Sequence, residues 1–153
     1  MSEIFVTRTI GSAPNLVYNI AKDVERYPEV LPDLDSVTIL SDDGNGSVTS
    51  KWQGSISVGP LTRQISWTEI DIWDDANLTC RFDLVEGDMK KYSGLWTFTP
   101  ADGGCKVDLA VDFELGIPVL GPLVNRIVDQ LMQRNCEDLL VALEKLSAPK
   151  PDA

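Results

Sequence analysis

The chain has 153 residues, 43% hydrophobic and 24% charged, with 24 acidic against 13 basic side chains and a formal net charge of -11. That length predicts one domain, and so acidic a surface argues against nucleic acid or an anionic membrane as a partner, since Lys and Arg clusters hold both. The sequence contains no histidine, which excludes Ser-His-Asp and Cys-His catalysis and histidine-based zinc sites.

Cys80, Cys105 and Cys136 are odd in number, widely spaced and without a CxxC pair. They read as reduced thiols in a reducing compartment, with no metal and no cofactor implied. The first residues, Met1 to Phe5, lack the basic and apolar regions of a signal peptide, and no apolar run approaches the ~18 residues of a membrane span. A cytoplasmic protein without stable membrane insertion is expected.

In chain order, Ile4–Ile10 reads as a first strand, broken by Gly11-Ser12-Ala13-Pro14. Pro14 suits the first position of a helix, where its missing N–H costs nothing. Leu16, Val17, Ile20 and Ala21 give a short helical stripe, and Pro28 and Pro32 prevent one long helix, so two short helices are predicted.

From residue 34 to 114 apolar and polar residues alternate between regular turn signals. The runs Val37–Leu40, Ser47–Ile56, Leu61–Trp73, Leu78–Val85, Tyr92–Thr99 and Lys106–Glu114 read as six strands. Short turns between them imply an antiparallel meander. The later strands have one dry face, carrying Leu78, Cys80, Phe82 and Leu84, then Tyr92, Trp96 and Phe98, then Val107, Leu109, Val111 and Phe113. In Leu61–Trp73 the pattern divides: Ile65, Trp67 and Trp73 share one face, Ile70 and Ile72 the other, so a bulge is expected to switch faces midway.

The breaker-rich segment Gly116–Pro122 reads as either part of a cavity mouth or a stiff turn that aims the next element. A helix of about 25 residues, ~38 Å long, follows to Leu146. Its apolar stripe includes Val124, Ile127, Val128, Leu131, Cys136, Leu139 and Leu143. The organisation predicted is one domain over residues 1–147 and a flexible tail over 148–153. A seven-stranded sheet with one dry face must pack the long helix there and, being twisted, curve around it.

Several segments of the chain resemble one known group. Ile10-Gly11-Ser12-Ala13-Pro14, Val17-Tyr18 and Asp23-Val24-Glu25-Arg26-Tyr27-Pro28-Glu29-Val30-Leu31-Pro32, then Val85-Glu86-Gly87-Asp88 with Gly94, Trp96 and Phe98, and Asp112-Phe113-Glu114, are similar to the START-like polyketide cyclase/dehydrase and coenzyme Q-binding protein superfamily. The resemblance implies an α+β helix-grip fold with a cavity between sheet and long helix. It implies three functional classes: a carrier or chaperone of a lipid, isoprenoid quinone or polyketide; an aromatase/cyclase; or a protein-interaction role like that of ribosome-associating toxins. Fold alone does not choose among them. An apolar lining and the lack of a visible catalytic constellation favour the non-catalytic binder.

Asn135 lies between Leu131 and Leu139 at helical spacing. It reads either as a structural amide, bonded to backbone or turned to solvent, or as the polar anchor of a ligand. The resemblance supports the anchor, since cyclase-like relatives place an Asn facing the cavity. Tyr92, Trp96, Trp52 and Trp67, with Phe98, Leu109 and Leu131, are candidates to line the cavity and contact a flat ligand. Arg63, Glu69, Asp71 and Arg81 read as cross-strand pairs on the wet face, or else as a set that places Arg63 or Glu69 in the cavity. No two carboxylates stand out by spacing as a catalytic pair.

Overall fold

Alternation at period two and a single long amphipathic helix dictate the architecture. The computed structural model describes residues 2–58, 60–115 and 122–148. Strand β1 (Ser2–Ile10) leads into helix α1 (Pro14–Lys22) and a 3-10 helix over Val24–Glu29. Six strands follow: β2 (Leu34–Asp42), β3 (Ser47–Val58), β4 (Leu61–Asp74), β5 (Thr79–Gly87), β6 (Met89–Ala101) and β7 (Gly104–Leu115). Helix α2 (Pro122–Ser147) comes last. The expected element order holds throughout, with each strand a few residues longer than its alternation suggested or shifted slightly in its bounds. The segment 116–121 and the tail 149–153 lie outside the described residues.

The strands form one antiparallel sheet in the order β1-β7-β6-β5-β4-β3-β2. Consecutive strands from β2 to β7 are neighbours, and β1 closes on β7 with Ile4 opposite Val111 and Val6 opposite Leu109. This is the helix-grip arrangement of the resemblance.

Pro14 starts α1 as expected, and the helix buries Val17, Tyr18 and Ala21. Tyr18 joins the two layers. Its ring meets Trp73 and Phe98 edge-on, each at 5.5 Å between centroids, and its hydroxyl donates to Asp75 Oδ1 at 2.6 Å. Lys22 Nζ donates to the same oxygen at 2.8 Å. Asp74 organises the β4–β5 turn by accepting the backbone N–H groups of Ala76 and Asn77. Leu78 belongs to that turn, with φ at 51°, and the strand begins after it.

Helix α2 buries Met132, Cys136, Leu140 and Leu143, a row at helical spacing. Met132 and Leu140 are core residues that the sequence stripe passed over. Leu131, Asn135 and Leu139 form the adjacent i, i+4 row along the shoulder of the helix; Leu131 and Leu139 are half-buried and Asn135 is exposed. The C-terminal end of α2 is tied down. Arg8 of β1 bonds Glu144 at 2.8 Å, and Ser12 Oγ donates to the carbonyl of Ser147 at 3.3 Å. The core is dense at this end, where Ile10, Val17, Val107, Leu140 and Leu143 are almost fully buried.

Strand β4 departs from expectation. Its faces do not switch: Ile65, Glu69, Asp71 and Trp73 are buried and Trp67 half-buried, all on the inner side, while Ile72 is 46% exposed. The irregularity sits in β5 instead. Thr68 pairs with Glu86 but Glu69 with Leu84, which leaves Val85 as the extra, exposed residue. A bulge in the partner strand lets β4 keep one face inward for its whole length.

Where β5 crosses β6, Phe82 stands opposite Gly94. A Cβ on Gly94 would collide with the Phe82 ring and with the carbonyl oxygen of Ala110. The bare glycine lets the ring lie flat on the sheet. Gly94→Ala is therefore expected to destabilise the fold by about 2 to 3 kcal/mol, since one added methyl must displace both ring and backbone. A thermal melt should show a Tm lower by roughly 6 °C or more; an unchanged Tm would show that the ring has room to move.

Candidate functional site

The space between sheet and α2 is not filled along its whole length. Beneath the middle of α2 lies a cavity of about 160 Å³. Its walls are mostly apolar: Trp52, Trp67, Trp73, Phe82, Tyr92, Trp96 and Leu109 from the sheet, Met132 and Cys136 from the helix. Pro32, Asp33, Asn135 and Asp138 also line it and are exposed, so they form the rim of its opening.

The aromatic wall is built by register. Trp52 of β3 and Trp67 of β4 are directly opposite, and their rings stack at 5.7 Å with planes 12° apart. Such cross-strand aromatic pairs stabilise a sheet beyond their buried area. Tyr27 stacks on the far side of Trp52 at 6.0 Å, and Tyr92 meets Trp67 at 5.7 Å. Each indole N–H is satisfied within its own strand. Trp52 Nε1 donates to Ser50 Oγ at 2.9 Å and Trp67 Nε1 to Glu69 Oε1 at 2.9 Å. Ser50 and Glu69 are themselves cross-strand partners, so the tryptophan pair rests on a polar pair one step deeper.

Inward alternation of β4 brings two carboxyl groups into this apolar wall. Glu69 is 6% and Asp71 3% exposed, both line the cavity, and they hydrogen bond each other. Burial raises both pKa values, because the charged form loses its water. For Glu69 the bond to Asp71 raises it further and the Trp67 N–H works against it. For Asp71 the bond from Glu69 works against the rise. A hydrogen bond between two carboxyl groups needs a proton, which the buried pair shares. Among the described residues no lysine or arginine pairs with either group. Outside the carboxyl pair no donor among the described residues reaches Asp71 Oδ1, which is shielded from solvent.

Of the sequence candidates, Trp52, Trp67, Tyr92, Trp96, Leu109 and Asn135 come together at the cavity, Asn135 at its rim. Phe98 is buried beyond it, stacked on Trp96 at 6.1 Å and under Tyr18. Leu131 and Arg63 are not among the lining residues, and Arg63 is exposed near the start of β4. The wet-face cluster does not form: Glu69 and Asp71 point inward while Arg81 is exposed on the outer face. Sequence reasoning offered Glu69 in the cavity as its alternative reading and missed Asp71 beside it, because acids were assigned to solvent. The available signal was parity, since Trp67, Glu69, Asp71 and Trp73 alternate on one face, with indoles bracketing the acids.

The three thiols are buried. Cys136 lines the cavity and burial pushes its pKa up to about 12; burial also raises Cys80 and Cys105. No group of metal-ligating side chains occurs among the described residues, and no helix among them is long and apolar enough to cross a membrane.

A family model described as polyketide cyclase/dehydrase and lipid transport matches residues 10–140. Ribosome association toxin RatA of Vibrio cholerae is 24% identical over 132 residues, covering 86% of this chain and 88% of that protein. The crystal structure of TTHA0849 from Thermus thermophilus superposes with a TM-score of 0.87 at 36% identity, covering 95% and 97% of the two chains. The Zhui aromatase/cyclase from Streptomyces sp. R1128 superposes at 0.82 with 20% identity over 95% and 93%, a likeness of fold.

The raised carboxyl pair makes stability fall with pH. A group whose folded pKa is raised contributes fully below its unfolded value, near 4.5 for Glu69 and 3.8 for Asp71, and loses that contribution as pH climbs through the folded value. The Glu69→Gln/Asp71→Asn double variant cannot lose it. Its stability relative to the parent, measured by urea unfolding, is expected to improve by at least about 1 kcal/mol between about pH 4 and about pH 8. A difference that stays flat would mean that the pair ionises freely in the folded state.

Proposed function

Because the chain belongs to the polyketide cyclase/dehydrase and lipid transport family, we propose that it binds a hydrophobic small molecule in the cavity beneath α2, as a carrier or chaperone. The aromatic cavity with a polar rim is the observation that carries this reading. Apolar walls hold a ligand by removing its surface from water, and a few polar groups fix its orientation. The volume supports a definite occupant size. An apolar cavity of roughly 150 Å³ accommodates a benzene ring, so about 160 Å³ takes one ring or one bend of a chain. The rest of a larger lipid, quinone or polyketide extends through the opening, past Pro32 and Asp33 on one side and Asn135 and Asp138 on the other.

In this reading Trp52, Trp67, Tyr92 and Trp96 supply the contact surface for a flat group. Asn135, exposed at the rim, has a free amide for a carbonyl or hydroxyl on the emerging part of the ligand. The cyclase reading assigns the same residues to the positioning of a poly-β-ketone chain. The RatA name points to a ribosome instead, and the net charge of -11 opposes contact with RNA while leaving contact with protein open.

Native mass spectrometry of the purified protein, alone and with a panel of quinones, fatty acids and aromatic polyketides, tests the proposal. A co-purified or added hydrophobic ligand bound one to one is expected, with quenching of the stacked tryptophan fluorescence; a panel without a single binder would sink it. Asn135→Ala separates carrier from cyclase. A carrier should lose no more than about tenfold in affinity, one rim hydrogen bond's worth, whereas a cyclase should lose turnover of a model polyketide altogether.

A further inference from the structure

Some of the hydrogen-bond donors in the cavity wall are idle. Tyr92, Trp73 and Trp96 all line the cavity, and neither the Tyr92 hydroxyl nor the two indole N–H groups bond to any described residue. Trp52 and Trp67 beside them differ, since their N–H groups are committed to Ser50 and Glu69. The idle donors are not sealed off either. Among the described residues, the buried side-chain atoms that lack both a partner and accessible surface are oxygens of Asp71, Asp108 and Asp112. Tyr92 is only 9% exposed, and its ring is held on the inner face between Trp67 and Phe82, at 5.7 and 5.1 Å between centroids. The surface that its hydroxyl keeps is therefore surface of the cavity. Buried polar groups are nearly always paired, and a donor left open toward a cavity is complementary to an acceptor carried by whatever fills it.

The charges around the cavity narrow the kind of acceptor. Its lining carries the carboxyl groups of Asp33, Glu69, Asp71 and Asp138, and among the described residues no lysine or arginine lines it. An anion would shed its hydration on entry and meet no countercharge. Resting on the cavity reading above, we propose that the cavity selects a molecule with a neutral carbonyl group, a ketone or quinone rather than a free fatty acid. Its carbonyl oxygen accepts from Tyr92 Oη while its ring or chain lies against the tryptophan wall. A carbonyl suits an idle donor because it brings acceptor lone pairs and no proton of its own to place. The hydroxyl proton of Tyr92 turns toward that oxygen, whereas an indole N–H is fixed in the plane of its ring. Hydrocarbons of matching shape fill the cavity but leave the hydroxyl unpaired, so the site discriminates against them.

Acetophenone and α-methylstyrene test this directly, being of one shape and differing by a carbonyl against a methylidene group. Simple transfer from water favours α-methylstyrene, so a preference for acetophenone reports the hydrogen bond. Isothermal titration calorimetry of the unsubstituted protein is expected to show acetophenone bound at least about fivefold more tightly. Tyr92→Phe should cancel or reverse that preference. Its Tm should stay level or rise, since the hydroxyl removed bonds nothing in the unliganded protein. Equal or tighter binding of α-methylstyrene by the unsubstituted protein overturns the proposal and leaves the cavity reading standing, and that comparison needs no variant to fold. Binding of neither compound overturns both. A preference that survives in Tyr92→Phe overturns the assignment to Tyr92, as does a Tm lower by about 5 °C or more in that variant. Benzoate bound as tightly as acetophenone overturns the choice of a neutral acceptor.

Discussion

Two indoles stacked across β3 and β4 set the terms for everything around them. Trp52 and Trp67 are direct cross-strand neighbours, and their rings form the wall of the cavity beneath α2. Each ring also needs a partner for its one N–H, and in a sheet the same-face neighbour two residues along is the one within reach. That requirement places Ser50 and Glu69 inside. Once Glu69 is inside, Asp71 joins it on the same face, and the apolar cavity wall acquires a polar locus. The cavity and its chemistry are thus two results of one packing decision.

The division of labour along α2 completes the arrangement. Its last turns are clamped by Arg8, Ser12 and a dense set of aliphatic side chains. Its middle spans the cavity opposite the tryptophans, contributing Met132 and Cys136 to the roof. Burial at one end supplies stability, so the middle can leave volume unfilled. An unfilled apolar space forfeits dispersion contacts, and it persists because the clamped helix cannot settle into it.

Much of this was legible from sequence for a physical reason. In β5, β6 and β7 the hydrophobic pattern and the burial requirement coincide, so alternation located the dry face and the element order located the helix. β4 was misread because its pattern is inverted: Ile70 and Ile72 look outward while Glu69 and Asp71 look inward. Hydrophobicity assigns acids to water, and only the register against β3, a non-local fact, reverses that assignment. The bulge was expected in the right part of the sheet and on the wrong strand, since a run of apolar residues on both faces does not say which partner yields. On α2 the spacing found Cys136 and Leu143 but took Asn135 for the centre of the stripe. A step of one residue rotates by about 100° around a helix, so Asn135 falls on the shoulder and Cys136 takes the centre.

The three buried thiols give the molecule a built-in gauge of its own motions. Alkylation requires a thiolate in contact with reagent, and burial denies both to Cys80, Cys105 and Cys136 in the closed fold. The three are shielded by different parts of the structure. Cys136 is covered by the cavity walls, while Cys80 and Cys105 lie within the sheet opposite Trp73 and Ile10. Breathing of the middle of α2 uncovers the first, whereas Cys80 and Cys105, on the inner face of the sheet, stay covered until the helix layer leaves that face more widely. Labelling rates at the three positions therefore separate local opening from wider opening within one chain, without any foreign probe.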